Sequence, residues 1–468
     1  MVANCPRRNR STAPNCHGGA RGRGLPLAGL VALGVVSGAC LTCDAQEDPP
    51  VGPTATGWQI GAPIVTYWAG PPDLILTDAV AKQMAEGNWN LAQVYPQGAG
   101  SREAPVLIEY YRSQLDILQR HGLRGYIWLP FGLDRDAELG AFIEGVRSHP
   151  ALYAYLLTDE PRPPKFAELA RLKDYLDEKD PSRLKYVNLY PNYASKEQLG
   201  TQGEPTHLRG YEEHVQQFIE VFKPQLLSYD HYHFSVKGDG DRYFLNLAQI
   251  RQAALQANIP FMVIVQACSW TVNMRIPTGD ELRWLAYTTL AYGSQGISHY
   301  VYGYPGHDGA MMNLADGSPT SLYYAAREVN RQFVAIAREL QPLRSIGAYH
   351  VGMLPEGAVA LPDSGRFRIE PPVAPKDYAA PVEGFVIGYF GPAQEPTHAL
   401  VVNLDYRTYG GIGQPRRDEF RKPVTRDLVG PGSLEVFDTA TGTWGATGSD
   451  RVELHLPPGG GLLVRLAP

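Results

Sequence analysis

The chain has 468 residues, 44% hydrophobic and 19% charged, which allows a sizeable core and rules out wholesale disorder. Its first 46 residues hold five Arg and one Asp, and the rest holds ten more acids than bases. An acidic body excludes nucleic acid as the main partner, because phosphate binding needs a basic footprint.

Residues 1–24 are basic and polar, with Arg7, Arg8, Arg10, Arg21 and Arg23, and Leu25 to Val36 is apolar. A positive region, a short apolar run and small residues before a cut site describe a secretory signal over residues 1–45. The run is too short to span a bilayer comfortably. Ser37-Gly38-Ala39 before Cys40 resembles a bacterial lipobox and makes Cys40 a candidate lipid anchor; cleavage after Ala45 is the soluble alternative. Export is expected either way: periplasmic, extracellular or anchored at the cell envelope. Residues 46–59 are a Pro/Gly/acid linker. Four of the five Cys precede the body and only Cys268 lies within it, so neither a disulfide framework nor a Cys-rich zinc site is expected.

From residue 60 short apolar runs recur: Pro63–Trp68, Asn90–Tyr95, Gly125–Pro130, Tyr153–Thr158, Lys185–Tyr190, Leu226–Asp230, Phe261–Gln266 and Ile297–Tyr302. Between them lie helical patterns at Val106–Arg120, Ala137–Val146, Phe166–Glu178, Glu212–Phe222, Leu245–Ala257 and Glu281–Tyr292, with Leu322–Leu340 after the last run. The runs start 27 to 41 residues apart, one βα unit per interval. Eight such units predict an α/β fold, a (β/α)8 TIM barrel over 60–343. A doubly wound open sheet is the alternative, but no Gly-rich phosphate fingerprint follows the first strand. Over 344–468 the runs Gly384–Phe390, His398–Asn403, Ser433–Phe437, Arg451–Leu456 and Leu462–Leu466 alternate like strands and predict a C-terminal antiparallel β-sandwich.

Barrel chemistry sits at the C-terminal strand ends, where the βα loops converge. Those ends carry Tyr67 and Trp68, Tyr95, Trp128, Asp159 and Glu160, Tyr190 and Asn192, Tyr229, Asp230 and Tyr232, Gln266, Trp270 and Tyr302. Flat rings bury the apolar faces of sugars, and amide and carboxylate oxygens accept from sugar hydroxyls. The aromatics and amides are therefore the candidate substrate-binding residues, and the partner they imply is a carbohydrate. Thr158-Asp159-Glu160-Pro161 is the sharpest local signal. Glycosidic cleavage needs a protonated carboxylic acid beside the leaving oxygen, its pKa raised by burial or a neighbouring anion. Glu160 is the candidate acid, with Asp159 or Asp230 as its partner. Thr278 and Glu281 have the spacing of a helix capping box, and Arg275 is a candidate to reach the cleft from the same loop. His231, His233, His299 and His307 have no tight metal spacing, and no metal or cofactor is expected.

These features resemble the TIM-barrel glycoside hydrolases, especially the clan of family 42 β-galactosidases and many bacterial cellulases. That clan places its acid/base Glu after an Asn at the end of strand four, often before Pro. Glu160 and Pro161 match, and Asp159 replaces the Asn. The clan's nucleophilic Glu ends strand seven, where this chain has Gln266, so the resemblance does not supply a nucleophile. Tyr229-Asp230 resembles the Tyr-Asp pair on strand six of family 18 chitinases. Asp159-Glu160 resembles the pair in families 20 and 123, which act on N-acetylhexosaminides with the substrate's acetamido oxygen as nucleophile. The expectation is a glycoside hydrolase; the alternatives are a carbohydrate-binding barrel without catalysis and a structural surface lipoprotein.

Overall fold

The computed structural model describes residues 63–71, 73–95, 103–204, 206–374, 384–406 and 424–468. The leader, the candidate anchor Cys40 and the linker lie outside these residues.

Eight parallel strands appear in chain order: β1 Ile64–Trp68, β2 Leu91–Val94, β3 Arg124–Trp128, β4 Leu152–Asp159, β5 Leu184–Asn188, β6 Leu227–His231, β7 Phe261–Gln266 and β8 Gly296–Tyr300. They are joined through helices α1 Asp78–Glu86, α2 Ala104–Arg120, α3 Asp136–Val146, α4 Phe166–Lys179, α5 Lys196–Leu199, α6 His207–Phe222, α7 Tyr243–Ala257 and α8 Gly279–Ala291, and α9 Ser321–Leu340 follows β8. The ladders do not form the closed barrel expected from the sequence. They form two four-stranded sheets, β2-β3-β4-β5 and β1-β8-β7-β6. At one seam Asn90 stands in for a ladder: its N–H donates to Val65 O (3.1 Å), its Oδ1 accepts from Val65 N (2.9 Å) and its Nδ2 donates to Pro63 O (2.8 Å). At the other, Leu189 N donates to Ser228 O (2.9 Å).

Strand alternation separates two cores. Ile64 and Trp68 of β1 join Leu91, Tyr126, Leu156, Tyr186 and Ile264 in an interior cluster, whereas Val65 and Tyr67 pack under the helices. Helix α9 shows how the outer layer is built. Thr320 caps it by accepting from Tyr323 N, and Leu322, Ala326, Val329, Phe333, Ile336 and Leu340 recur at three- and four-residue spacing and are all buried. Truncating Phe333 to Ala is expected to cost about 3–5 kcal/mol.

After α9 come β9 Arg344–Val351, β10 Val359–Ala360, β11 Arg368–Glu370, β12 Phe385–Gly391, β13 His398–Asn403, β14 Val424–Val429, β15 Leu434–Asp438, β16 Thr443–Ala446, β17 Arg451–Leu456 and β18 Gly461–Leu466. Seven of them form the sheet β10-β9-β12-β13-β18-β15-β16 and three form β11-β14-β17; every pair is antiparallel except β9 with β10. Phe385, Ile387 and Tyr389 of β12 share a core with Ile369, Leu428 and Leu454 of the smaller sheet. The opposite face of β12 lies on α8, and a Cβ at Gly388 would fall 2.3 Å from Ala291 O, so only glycine allows that approach.

Candidate functional site

Strand β4 ends at Asp159, and the chain then turns at Glu160 with φ 43°. A non-glycine residue in this left-handed region is strained by the order of 1–2 kcal/mol and persists only where its surroundings impose it. Here Pro161 follows, and Glu160 N donates to Asn188 O (2.9 Å). Asp159 pairs in register with Asn188 of β5. The Asn188 amide then reaches both ways: Nδ2 donates to Asp159 Oδ1 (3.1 Å) and to Asp230 Oδ1 of β6 (3.0 Å). Its Oδ1 accepts from Ser228 Oγ (3.0 Å), which therefore accepts in turn from Tyr186 OH (3.0 Å). The hydroxyl chain leaves the amide one orientation, and three carboxyl groups gather around it.

Burial, then the charge of Asp159, push the Glu160 carboxyl up to about 7, against the opposing effect of a side-chain hydrogen bond with Asp230. Burial lifts Asp159 to about 6, although Asn188 and the Glu160 N–H favour its ionised form. Asp230 is held well above the carboxylate range by burial and by the charges of Glu160 and Asp159. No arginine or lysine among the described residues relieves the trio by pairing with it. The charge of Glu160 raises Asp230 and the two groups titrate together, so they do not both ionise cheaply.

Tyr95, Tyr186, Tyr232 and Tyr300 lie near enough to sense the charge of these carboxyls. Trp68 lies 6.2 Å from Trp128 and 6.3 Å from Tyr186, and Tyr95 stacks on Trp128 at 6.3 Å. Tyr232, Trp270 and Tyr300 pack mutually at 4.7–5.0 Å, Tyr300 is the register partner of Trp68, and Tyr300 OH bonds to His307 Nε2 (3.0 Å). Tyr190 meets Glu160 electrostatically and is hydrogen-bonded with Arg162 and Gln198. Of the residues anticipated from the sequence, Asp159, Glu160, Asp230, Trp68, Tyr95, Trp128, Tyr190, Tyr232 and Trp270 are thus brought together.

The others are placed elsewhere. Tyr67 and Tyr302 are fully buried 5.2 Å apart under the helices, with Tyr302 OH on Gln83 Oε1 (2.5 Å). Tyr229 faces the helices because it adjoins Asp230 on an alternating strand. Asn192 is buried and holds α7: its N–H donates to Asn246 Oδ1 (2.9 Å) and its Nδ2 to Gln249 Oε1 (3.2 Å). Gln266 is wholly consumed by backbone. Its Oε1 accepts from Phe234 N (2.8 Å), and its Nε2 donates to Arg275 O (2.8 Å), Phe234 O (3.1 Å) and Cys268 O (3.3 Å). Cys268 is buried beside Tyr300, with burial pushing its thiol up to about 12. Thr278 and Glu281 form the anticipated capping box, and Arg275 turns away from the cleft onto Glu281 and Asp239. No group of His, Cys, Asp and Glu suited to a metal occurs among the described residues. Asn188, Tyr186, Ser228 and Tyr300 are site residues that the strand-end reading passed over. The signal was the period of two, which puts Tyr186 and Asn188 on one face of β5.

No family model matches the sequence, and no curated protein matches it. Among solved structures, the chain is similar to an endo-β-1,4-mannanase from Thermotoga petrophila at 11% identity and a TM-score of 0.42, covering 86% of this chain and 97% of that one. It is also similar to a family 27 β-L-arabinopyranosidase from Geobacillus stearothermophilus in complex with arabinose, at 10% identity and 0.42, covering 88% and 98%. A family 5 glycoside hydrolase from Bifidobacterium longum subsp. infantis gives 10% and 0.37, covering 55% and 73%. Likeness this remote assigns no chemistry, which has to come from the carboxyl groups themselves.

Proposed function

We propose that the chain is an exported glycoside hydrolase acting on O-glycosidic bonds, with Glu160 as general acid. The observation that carries this reading is the Glu160 carboxyl, raised to about 7 by burial and by Asp159, at a strained corner near the rings of Tyr190 and Tyr300. An acid poised there still holds a proton at neutral pH and can deliver it to a leaving oxygen. The rings offer apolar faces to a sugar, and Asp159 and Asp230 offer acceptors to its hydroxyl or amide hydrogens.

The contact between Glu160 and Asp230 bears on the partner. A retaining nucleophile stands about 5–5.5 Å from the acid, and an inverting base about 6.5–9.5 Å away with water between. The charge of Glu160 opposes the ionisation of Asp230, and in this reading Asp230 is the proton partner of the acid, not its nucleophile or base. This favours an N-acetylhexosaminide substrate. Its acetamido oxygen attacks C1 while Glu160 protonates the departing oxygen, and Asp159 accepts the amide N–H. Water, deprotonated by Glu160, then opens the cyclic intermediate.

The test is release of 4-nitrophenol from 4-nitrophenyl N-acetyl-β-D-glucosaminide, N-acetyl-β-D-galactosaminide, β-D-glucoside and β-D-galactoside by the wild type and Glu160→Gln. Hydrolysis confined to the N-acetylated pair and abolished by Glu160→Gln is expected. Unchanged turnover in Glu160→Gln would remove the acid assignment. Sugar binding with no cleavage of any glycan would leave the non-catalytic carbohydrate-binding reading instead.

A further inference from the structure

The loop 232–242 leaves β6 immediately beyond His231, one residue after Asp230, and carries Tyr232, which packs on Trp270 and Tyr300. It is secured at one end by Gln266, whose amide clasps both polar atoms of the Phe234 backbone. At its other end Asp239 is held from two directions. Arg275 donates to Asp239 Oδ1 through Nη2 (2.8 Å), while its other Nη reaches Glu281 (2.7 Å) and its guanidinium lies 4.5 Å over the Phe234 ring. The second oxygen, Oδ2, accepts from Tyr406 OH (3.0 Å), and Tyr406 lies three residues beyond β13 of the C-terminal sheet.

Tyr406 is well placed for this task. It follows β13, and its neighbours are tied to the sheet backbone: Leu404 N donates to Gly384 O (2.9 Å) and Gly459 N to Asp405 O (2.9 Å). Its ring is buried 4.5 Å from Trp284 of α8 and 5.7 Å from Phe234. Because its hydroxyl donates to Asp239, the contact with His233 Nε2 (3.0 Å) has the imidazole as donor, so one phenol oxygen grips the loop at 233 and 239.

We propose that Tyr406 is a positioning residue through which the C-terminal sheet domain holds loop 232–242, and with it the Tyr232–Trp270 wall of the cleft. The role of that wall in holding sugar rests on the glycosidase reading; the role of Tyr406 in holding the wall does not. The carboxyl groups are set by Asn188, not by this loop. Losing the hydroxyl therefore loosens sugar binding and leaves the proton chemistry in place.

The experiment compares the wild type, Tyr406→Phe, Asp239→Asn and Trp444→Phe. The last removes a different bond between the C-terminal sheet and the helices, Trp444 Nε1 to Glu339 Oε2 (2.9 Å), away from the loop. Backbone hydrogen exchange over 232–242, the melting temperature, and kcat and KM on the best of the four glycosides are measured. Tyr406→Phe and Asp239→Asn are expected to speed exchange in 232–242 roughly tenfold, as for a lost hydrogen bond to a carboxylate. They should raise KM while kcat stays within about twofold, and Trp444→Phe should do neither. Wild-type exchange in both loop variants, or equal acceleration in Trp444→Phe, overturns the proposal. Should the wild type cleave none of the glycosides, the glycosidase reading fails, and exchange alone still decides the role of Tyr406.

Discussion

One side-chain nitrogen, Asn188 Nδ2, donates to Asp159 at 3.1 Å and to Asp230 at 3.0 Å, so a residue of β5 sets the spacing of carboxyl groups on β4 and β6. The same amide spans the seam between the two parallel sheets, where strand pairing is thin. Asn188→Asp replaces the shared donor with a fourth acidic group of the same shape. Burying an uncompensated charge costs several kcal/mol unless the group takes up a proton. Turnover is expected to fall about 100-fold or more, as when a preorganised polar contact at the reacting centre is lost. The melting temperature should fall further at pH 8 than at pH 5, where the added carboxyl can be protonated; a deficit independent of pH would argue against the carboxyl trio.

Glu160 should cost stability as it ionises. Its folded pKa is raised from 4.5 to about 7, so the folded state holds the proton more tightly than the unfolded chain does. Stability from that proton is fully present below the ordinary glutamate range and is lost as pH rises through about 7. Glu160→Gln keeps the shape and never has to bury the charge. Thermal or urea unfolding should show the variant close to wild type at pH 4 and more stable at pH 8, by roughly 2 kcal/mol. A difference that does not grow with pH would contradict the buried, charge-coupled acid.

The sequence revealed the layout more readily than the site. Phe261–Gln266, His398–Asn403 and Arg451–Leu456 were legible to the residue, because apolar runs punctuated by Gly, Pro and Asn are local signals. Helix α1 and strands β9 and β14 were passed over, the helix being short and the two strands having exposed or charged members. At the site the difficulty was side-chain direction. Tyr67 and Trp68 are neighbours in sequence, yet one packs under helices and the other lines the interior, and Tyr229 and Asp230 divide in the same way. Asn188 stood four residues from Asn192 and looked the same in composition. Only the register of β4 with β5, and a contact to β6 across the seam, distinguishes the amide that organises the carboxyls from the one that secures α7. Gln266 ends β7 and suggested a site residue, but its hydrogen bonds to residues 234 and 275 depend on loops that no local pattern fixes.

Asp159 should govern the alkaline limit of activity. After burial, its charge is the effect that raises Glu160. Asp159→Asn removes that charge while its side-chain oxygen still accepts from Asn188. Glu160 should then lose its proton at lower pH, and the alkaline limb of the kcat/KM profile should move down by about one unit. On an N-acetylated substrate kcat should also drop, because an amide nitrogen now faces the substrate N–H. An unmoved alkaline limb would mean that Asp159 and Glu160 do not sense each other.

Gln266→Glu is the substitution that the clan resemblance invites, since it places a carboxylate at the end of β7. The surroundings of Gln266 give the opposite expectation. Its Nε2 donates to three carbonyl oxygens, those of Phe234, Cys268 and Arg275, within 3.3 Å, and the side chain is fully buried. A carboxylate oxygen there would meet three acceptors without a hydrogen to offer, and a protonated carboxyl could satisfy only one of them. The variant should lose about 2–4 kcal/mol of stability, more at pH 8 than at pH 5, since only protonation relieves the clash. It should gain no covalent glycosyl intermediate, which mass spectrometry of the protein after incubation with a 2-deoxy-2-fluoro glycosyl fluoride would detect. Because Gln266 also steadies the loop that carries Tyr232, whatever hydrolysis the wild type performs should weaken. A stable variant that traps the fluorosugar would instead make the end of β7 a nucleophile site lost by one substitution.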